Sequence, residues 1–167
     1  SVAVDNENTL YIADTNNNRI RKVLFGVITT VVGSGLASSL GDGGPAINAT
    51  LFSPRAIAVD ENKVLYIAEG NNVRRAVQGG NINRVAGIGT SAFSGDGGPA
   101  VTAALQQPFG VTLGKNVIYI ADTFNNRIRV IDQSGIISTY AGGGAPNTTT
   151  PRGDGGLLQR PQRRRGL

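Results

Sequence analysis

Val117-Ile118-Tyr119-Ile120-Ala121-Asp122 is the stretch that decides the fold, because its last four residues recur along the chain. The same four-residue word stands at Tyr11-Ile12-Ala13-Asp14 and, with one conservative change, at Tyr66-Ile67-Ala68-Glu69. The copies are separated by 55 and 53 residues. Repetition at a fixed period indicates a repeat architecture and has to be considered before any single motif.

A second word recurs in step with the first. Gly41-Asp42-Gly43-Gly44-Pro45-Ala46 returns 54 residues later as Gly95-Asp96-Gly97-Gly98-Pro99-Ala100. A decayed copy, Gly153-Asp154-Gly155-Gly156, follows 58 residues after that. Two unrelated words that share one period establish that the 167-residue chain consists of repeats.

Each repeat contains four short apolar stretches rich in β-branched residues, separated by Gly, Asn and Asp. In the middle copy these are Ala56–Val59, Val64–Ala68, Val73–Val77 and Asn81–Ala86. This pattern is typical of antiparallel strands joined by hairpins. A four-stranded sheet repeated at a fixed period predicts an all-β fold built from β-propeller blades, with three blades in this chain.

The repeat words also divide the chain. We predict blade 1 over residues 1–33, starting inside its first strand, and an insert over residues 34–52. The prediction continues with blade 2 over residues 53–87, an insert over 88–107, blade 3 over 108–142, and a last insert and basic tail over 143–167 without a complete fourth blade. In the second insert, Pro99 is followed by a run that predicts one or two helical turns. The leucines near the insert ends are expected to pack onto the blade beneath; they are Leu51, Leu105 and Leu158.

Three consecutive words of the third copy resemble the NHL repeat. They are Pro108-Phe109-Gly110-Val111, then Val117–Asp122, then Asn125-Asn126-Arg127-Ile128-Arg129, and the segments Val2–Val23 and Pro54–Val77 are similar. The resemblance implies a six-bladed propeller that usually serves as a binding platform, although some propellers with related repeats are enzymes. The long period, with its Gly-Asp-Gly-Gly-Pro-Ala insert, is similar to the variant common in large extracellular or cell-surface repeat proteins.

Three blades are too few to close a ring, since propellers contain about four to eight. An isolated half-ring leaves two apolar blade faces uncovered, which soluble monomers rarely tolerate. Two chains could form a six-bladed ring, the chain could be part of a longer propeller, or blades could stack head to tail as an open filament. We expect self-association or another protein as partner, and ring and filament both stay open.

Composition removes several classes of function. The chain has no Cys, His, Met or Trp, which excludes disulfides, thiol nucleophiles, catalytic histidines and His or Cys metal ligands. No apolar run approaches the length of about 20 residues that spans a membrane. The net charge of +5 belongs mostly to the tail, because residues 1–150 hold 11 Lys and Arg against 10 Asp and Glu. The near-neutral body therefore disfavours nucleic acid as a partner, and the basic tail is typical of a solvated segment.

The polar turns after the repeated tyrosine words are interpreted first as structural. Asp and Asn side chains hydrogen-bond their own backbone in tight turns, and Asn tolerates a positive φ. The residues assigned to these turns are Asp14, Asn17, Asn18, Asp122, Asn125 and Asn126. In the Gly-Asp-Gly-Gly loops, one Asp without a neighbouring acid does not make a calcium site. We interpret that Asp as an acceptor of backbone amides, and we expect Gly98→Val to harm folding more than Asp96→Asn.

Strand order predicts where a partner would bind. The turn between the second and third strands emerges at the same end of a blade as the insert, and loops on a rigid scaffold commonly carry recognition. The candidate partner-facing residues at this end are Arg19, Arg55, Arg127, Asp42 and Asp96. Asn48-Ala49-Thr50 and Asn147-Thr148-Thr149 match the N-glycosylation pattern and would fit an extracellular glycoprotein.

The resulting hypothesis is a non-enzymatic interaction or self-assembly module, extracellular or at the cell surface, with no catalytic residue, metal or cofactor. One alternative is a fragment of a six-bladed hydrolase or lyase, although the predicted first strands offer mostly apolar residues to the channel. The other alternative is an RNA-binding propeller, which the aromatic content of 5% disfavours.

Overall fold

Residues 1–143 are described by a computed structural model of the chain, and they form three four-stranded sheets. We call the sheets blade 1 (β1–β4), blade 2 (β5–β8) and blade 3 (β9–β12). The strands are β1 Val2–Val4, β2 Leu10–Asp14, β3 Arg19–Leu24, β4 Val27–Val32, β5 Pro54–Val59, β6 Leu65–Glu69, β7 Asn72–Ala76, β8 Ile82–Ala86, β9 Pro108–Gly114, β10 Val117–Asp122, β11 Arg127–Ile131 and β12 Ile137–Gly142.

The prediction of an all-β fold of antiparallel four-stranded blades is confirmed. Within each sheet, strands follow one another in chain order, and every neighbouring pair is antiparallel. The second insert contains a single 3₁₀ turn at Ala100–Thr102, directly after Pro99. Two further 3₁₀ turns, Thr15–Asn17 and Thr123–Asn125, join the second and third strands of blades 1 and 3.

The pairing of the third and fourth strands is irregular at the same place in every blade. The register shifts between Ile20 and Arg21, between Val73 and Arg74, and at the matching position of blade 3, between Ile128 and Arg129. Bulges of this kind turn a strand locally and redirect its side chains. In each blade the residue that follows the shift is an arginine, namely Arg21, Arg74 or Arg129.

The core lies between the blades. One cluster joins Tyr11 and Ile20 of blade 1 to Leu65 and Ile82 of blade 2, and a second cluster joins blades 2 and 3 in the same way. Leu51 and Leu105 are fully buried in these clusters, as the insert pattern predicts. Each insert therefore seals the junction between two blades.

The hairpin between β1 and β2 is held by one carboxylate. Asp5 Oδ1 accepts hydrogen bonds from the amides of Glu7 (3.0 Å) and Thr9 (2.9 Å), and Oδ2 accepts one from the Tyr11 hydroxyl (3.1 Å). Burial raises the pKa of Asp5, but these hydrogen bonds outweigh it, so the pKa lies below its usual value.

The segment beyond residue 143 lies outside the described residues. Predictions about Asn147, Asp154, Leu158 and the basic tail therefore remain predictions.

Candidate functional site

The polar turns between the second and third strands have a common local structure. In blade 1, Asn17 Nδ2 donates to Asp14 Oδ1 over 2.8 Å, and Asn18 adopts a φ of 52°. The matching turn of blade 3 places Asn125 Nδ2 2.8 Å from Asp122 Oδ2 and gives Asn126 a φ of 51°. Asn is one of the few residues with a side chain that enters this left-handed region readily.

These turns contact the inserts. The Ser53 amide donates to Asn18 Oδ1, and the Gln107 amide donates to Asn71 Oδ1, each over 3.0 Å. Arg19 Nη2 donates to the Ser34 carbonyl over 2.9 Å. Turns and inserts therefore lie together at one end of the blades, which we call the insert end.

Arginines and phenylalanines form two groups of stacked side chains at the insert end. The Arg55 guanidinium lies 4.4 Å from the centre of the Phe109 ring, which packs edge to face against Phe124 at 5.7 Å. Arg127 lies 3.9 Å from the centre of the Phe93 ring. The three phenylalanines are each 40% exposed or more. We call these five residues the rim cluster.

Behind the rim cluster, a buried arginine binds each insert to the blade that follows it. We call these contacts between insert and blade the lock. Arg74 of blade 2 is fully buried, and its Nε lies 2.9 Å from Asp42 Oδ1 in the first insert. Its Nη1 lies 3.1 Å from Glu69 Oε1, and it donates to the carbonyls of Thr50 and Leu40. A buried guanidinium needs this number of acceptors to offset its desolvation.

Blade 3 repeats the arrangement. Arg129 is fully buried, its Nη2 lies 2.8 Å from Asp96 Oδ1, and its Nη1 lies 3.3 Å from Asp122 Oδ2. The Thr139 hydroxyl donates to Asp96 Oδ2 over 2.6 Å. The interpretation of the loop aspartates as acceptors of backbone amides is therefore wrong for Asp42 and Asp96, and for Asp154 it stays a prediction. Asp42 and Asp96 bind arginines of their own chain, which leaves about a third of each side chain exposed (32% and 37%).

The acid at the end of the second strand is also buried. Glu69 Oε2 accepts from the Phe52 amide (2.6 Å), and Oε1 accepts from the Ser39 hydroxyl (2.8 Å) and from Arg74. Burial raises the pKa of Glu69 above its usual value, although its hydrogen bonds and the Arg74 charge offset part of this effect. The insert, the strand end and the arginine thus form one network.

Backbone hydrogen bonds of the Gly-Asp-Gly-Gly loops are also part of the lock. Gly43 donates to the Ile82 carbonyl over 2.8 Å, and the Ile82 amide donates back to Gly44 over 3.0 Å; the second insert pairs with Ile137 of blade 3 in the same way. Gly98 lies outside the left-handed region, and a Cβ there would meet its nearest heavy atom, the Gly95 carbonyl oxygen, at 3.4 Å. The expectation that the loop needs Gly98 more than the Asp96 charge loses its physical basis.

Sequence reasoning missed the buried arginines, yet a pattern marks them. Arg21, Arg74 and Arg129 stand at the same position of the third strand in each copy, and an acid ends each second strand. An arginine that recurs at one strand position together with an acid at the end of the preceding strand indicates a pair, and in blades 2 and 3 that pair is buried.

The opposite end of blades 2 and 3 carries a cleft of about 760 Å³. It is lined by two hairpin turns, residues 60–62 and 115–116, together with Tyr66 and Ile131.

Within residues 1–143, no group of three or more Asp, Glu, Cys or His side chains lies close enough to hold a metal ion. No helix in that range is long and apolar enough to cross a membrane. Asn48 is exposed in the first insert.

Comparison with family models supports the assignment of the repeats to a known family. The family model described as the Teneurin NHL domain matches residues 34–93 and 89–156, and the NHL repeat model matches residues 1–23. The chain belongs to the teneurin NHL domain family. The resemblance of its repeats to NHL repeats is confirmed, and the long inserts fall within the matched teneurin region.

Two relatives illustrate how much of a teneurin this NHL domain represents. It is 31% identical to Teneurin-1 of Gallus gallus over 155 residues, which cover 80% of this chain and 6% of that protein. It is 36% identical to Teneurin-3 of Mus musculus over 92 residues, which cover 47% of this chain and 3% of that protein. The chain thus spans a small part of these relatives.

Solved structures share the fold at low sequence identity. A protein of unknown function from Bacteroides thetaiotaomicron aligns with a TM-score of 0.64 and 22% identity, covering 74% of this chain and 32% of its own. Virginiamycin B lyase from Staphylococcus aureus aligns with a TM-score of 0.54 and 19% identity, covering 83% and 39%. At these identities the likeness concerns the fold alone.

Proposed function

We propose that this NHL domain is a non-enzymatic module for protein–protein interaction, and that it associates through its blade flanks with further propeller blades, including those of a second copy. We also propose that the domain functions outside the cell or at the cell surface. Its membership of the teneurin NHL domain family and its long-period inserts support both the interaction function and this location.

The exposure of matching residues carries the proposal. Val2 of blade 1 is 62% exposed, whereas Ile57, its counterpart in blade 2, is 5% exposed. At the other flank, Ile128 of blade 3 is 37% exposed, and its counterparts Ile20 and Val73 are fully buried. The same positions are thus covered at the inner junctions and uncovered at the two ends. Apolar faces of this kind mark interaction surfaces.

Sedimentation velocity of the full chain over a hundredfold range of concentration tests the proposal. We expect the mean mass to rise above the 17.3 kDa of one chain. Val2→Asp should shift the rise to higher concentration, because it places a charge on the flank of blade 1. Val101→Asp is the matched control, since Val101 is exposed on the second insert and away from either flank. A constant single-chain mass at all concentrations would contradict self-association.

The rim cluster favours a second candidate function, the binding of an acidic segment of another protein. Arginine and aromatic side chains are enriched among the residues that dominate protein interfaces. A fluorescent polyglutamate peptide should bind, and Arg55→Gln combined with Arg127→Gln should weaken binding at least about tenfold. Lys115→Gln, at the opposite end, is the control. Binding of single-stranded RNA in place of the peptide would instead favour the nucleic-acid alternative.

A further inference from the structure

A lysine closes the junction between blades 1 and 2 at the end opposite the inserts. Lys63 Nζ of blade 2 lies 2.6 Å from Glu7 Oε2 of blade 1. Behind this pair, the Tyr11 hydroxyl donates to Asp5 Oδ2 over 3.1 Å and accepts from Gln78 Nε2 over 2.7 Å. Tyr11 is only 1% exposed. An ion pair therefore covers a buried tyrosine and its aspartate at this junction.

The junction between blades 2 and 3 has the matching positions but not the ion pair. Asn116 occupies the position of Lys63, three residues before the repeated tyrosine, and the two residues have left-handed φ values of 64° and 60°. Asn62 occupies the position of Glu7, two residues after the hairpin aspartate whose Oδ1 accepts its amide. Two short neutral amides thus replace the lysine and the glutamate. The cleft of about 760 Å³ opens at this place.

The tyrosine and the aspartate of this second junction are present and line the cleft. Tyr66 matches Tyr11, but it is only half-buried, and its hydroxyl has no hydrogen-bond partner among residues 1–143. Asp60 matches Asp5, and its Oδ1 accepts two hairpin amides in the same way. Its Oδ2 has no partner in the described part of the chain, whereas Asp5 Oδ2 accepts from a tyrosine. Two acceptors that are occupied at the first junction are therefore available in the cleft.

The charge of the cleft favours a cation. Three acids line it, Asp60, Glu61 and Asp132, against one base, Lys115. A cleft with an excess of one charge raises the local concentration of ligands of the opposite charge. Its volume of about 760 Å³ falls within the range of about 300–1,000 Å³ that is typical of ligand sites.

We propose that the cleft between blades 2 and 3 binds a lysine side chain of a partner protein, whose ammonium group takes the place that Lys63 takes at the first junction. The ammonium group has three donors. The Tyr66 hydroxyl and the carboxylates of Asp60 and Glu61 accept from it, and Ile118 in the cleft wall contacts the alkyl chain. This inference rests on the proposed interaction function and adds a site to it, away from the blade flanks and the rim cluster.

Nuclear magnetic resonance titration of the full chain with the peptide acetyl-Gly-Lys-Gly-amide tests the site. The amide signals of Glu61 and Asn116 should shift as the peptide is added. The same peptide with an acetylated lysine should bind at least about tenfold more weakly, because acetylation removes the charge and two of the donors. Spermidine is a third probe, which separates a lysine of a protein from a free polyamine.

Asn116→Lys is the decisive variant, because it puts the chain's own lysine at the position that matches Lys63. It should fill the cleft and raise the dissociation constant of the peptide at least about tenfold. Asn8→Lys is the matched control, since Asn8 stands at the same position of the blade 1 hairpin with a φ of 62°, and it should leave binding unchanged. Tyr66→Phe guards against misfolding, because it removes a hydroxyl without an internal partner, and it should weaken binding at least about threefold.

The outcomes separate this inference from the proposed association of blades. The lysine site is overturned if the peptide does not bind, if the acetylated peptide binds equally well, or if spermidine binds and the peptide does not. It is also overturned if Asn116→Lys and Asn8→Lys affect binding equally. A chain that self-associates but does not bind the peptide overturns this inference alone. A chain that binds the peptide and stays single overturns self-association alone.

Discussion

Replacing Arg74 by Met removes the charge that holds the first insert to blade 2. The change leaves Glu69 buried without its cation and leaves Asp42 only its 3.5 Å pair with Arg84. It also removes the donor of the Thr50 and Leu40 carbonyls. Breaking a buried ion pair from one side costs about 3–5 kcal/mol. For a chain of this length, we expect the thermal midpoint to fall by about 6–20 °C.

The loss should also depend on pH. Because burial raises the pKa of Glu69, its contribution to stability is greatest below its unfolded pKa of about 4.3 and is lost as pH rises through the folded value. Without Arg74 the folded pKa rises further, since no cation then stabilises the carboxylate. The difference between the original chain and Arg74→Met should therefore grow from pH 4.5 to pH 7.5.

Thermal denaturation followed by circular dichroism measures both effects. Arg75→Met is the control, because Arg75 is next in the same strand, on its opposite face, and only partly buried. We expect the control to cost less than about 1 kcal/mol. An Arg74→Met loss no larger than the control, or one that is constant over this pH range, would refute the reasoning.

Three further changes probe the loops and the core by denaturation. Gly95→Ala should lower the thermal midpoint more than Gly98→Ala, because Gly95 has a φ of +89° and its Cβ would lie 2.6 Å from Ala103; equal midpoints would contradict this. Leu105→Ala should cost about 2–5 kcal/mol in urea, since Leu105 is fully buried between blades, and a loss below about 1 kcal/mol would count against that packing. Asp5→Asn should be less stable than the original chain at pH 7, and the difference should shrink as the pH falls below the usual carboxyl value and through the lowered pKa of Asp5, because the hydrogen bonds favour the ionised carboxylate; a gap that does not change with acidification would argue against it.

The blade architecture could be predicted from the sequence because its determinants are local. Alternating apolar residues, Asn at the left-handed turn positions and glycines in the hairpins all lie within one repeat. Leu51 and Leu105 could be placed in the core for the same reason, since each stands at a fixed distance from the next first strand.

The lock between an insert and the following blade could not be predicted, because the residues that form it come from different segments of the chain. Asp42 and Arg74 are 32 residues apart, and they meet only because the insert folds onto the following blade. Considered alone, an aspartate between glycines indicates a turn, and an arginine in a strand indicates an exposed face. The contact between Arg55 and Phe109 in the rim cluster is easier to predict from the sequence. Each residue follows the same proline in consecutive copies, so the two occupy matching positions in adjacent blades, where they contact each other.

Amide hydrogen exchange at three matching residues tests the central claim most directly, namely that each insert belongs to the blade that follows it. In dilute solution, where chains are separate, the amides of Ile82 and Ile137 should exchange slowly because the loops bind them. The amide of Ile28 should exchange at least about 100 times faster. Equal rates at all three positions would contradict the claim, since the loops would then contribute no protection.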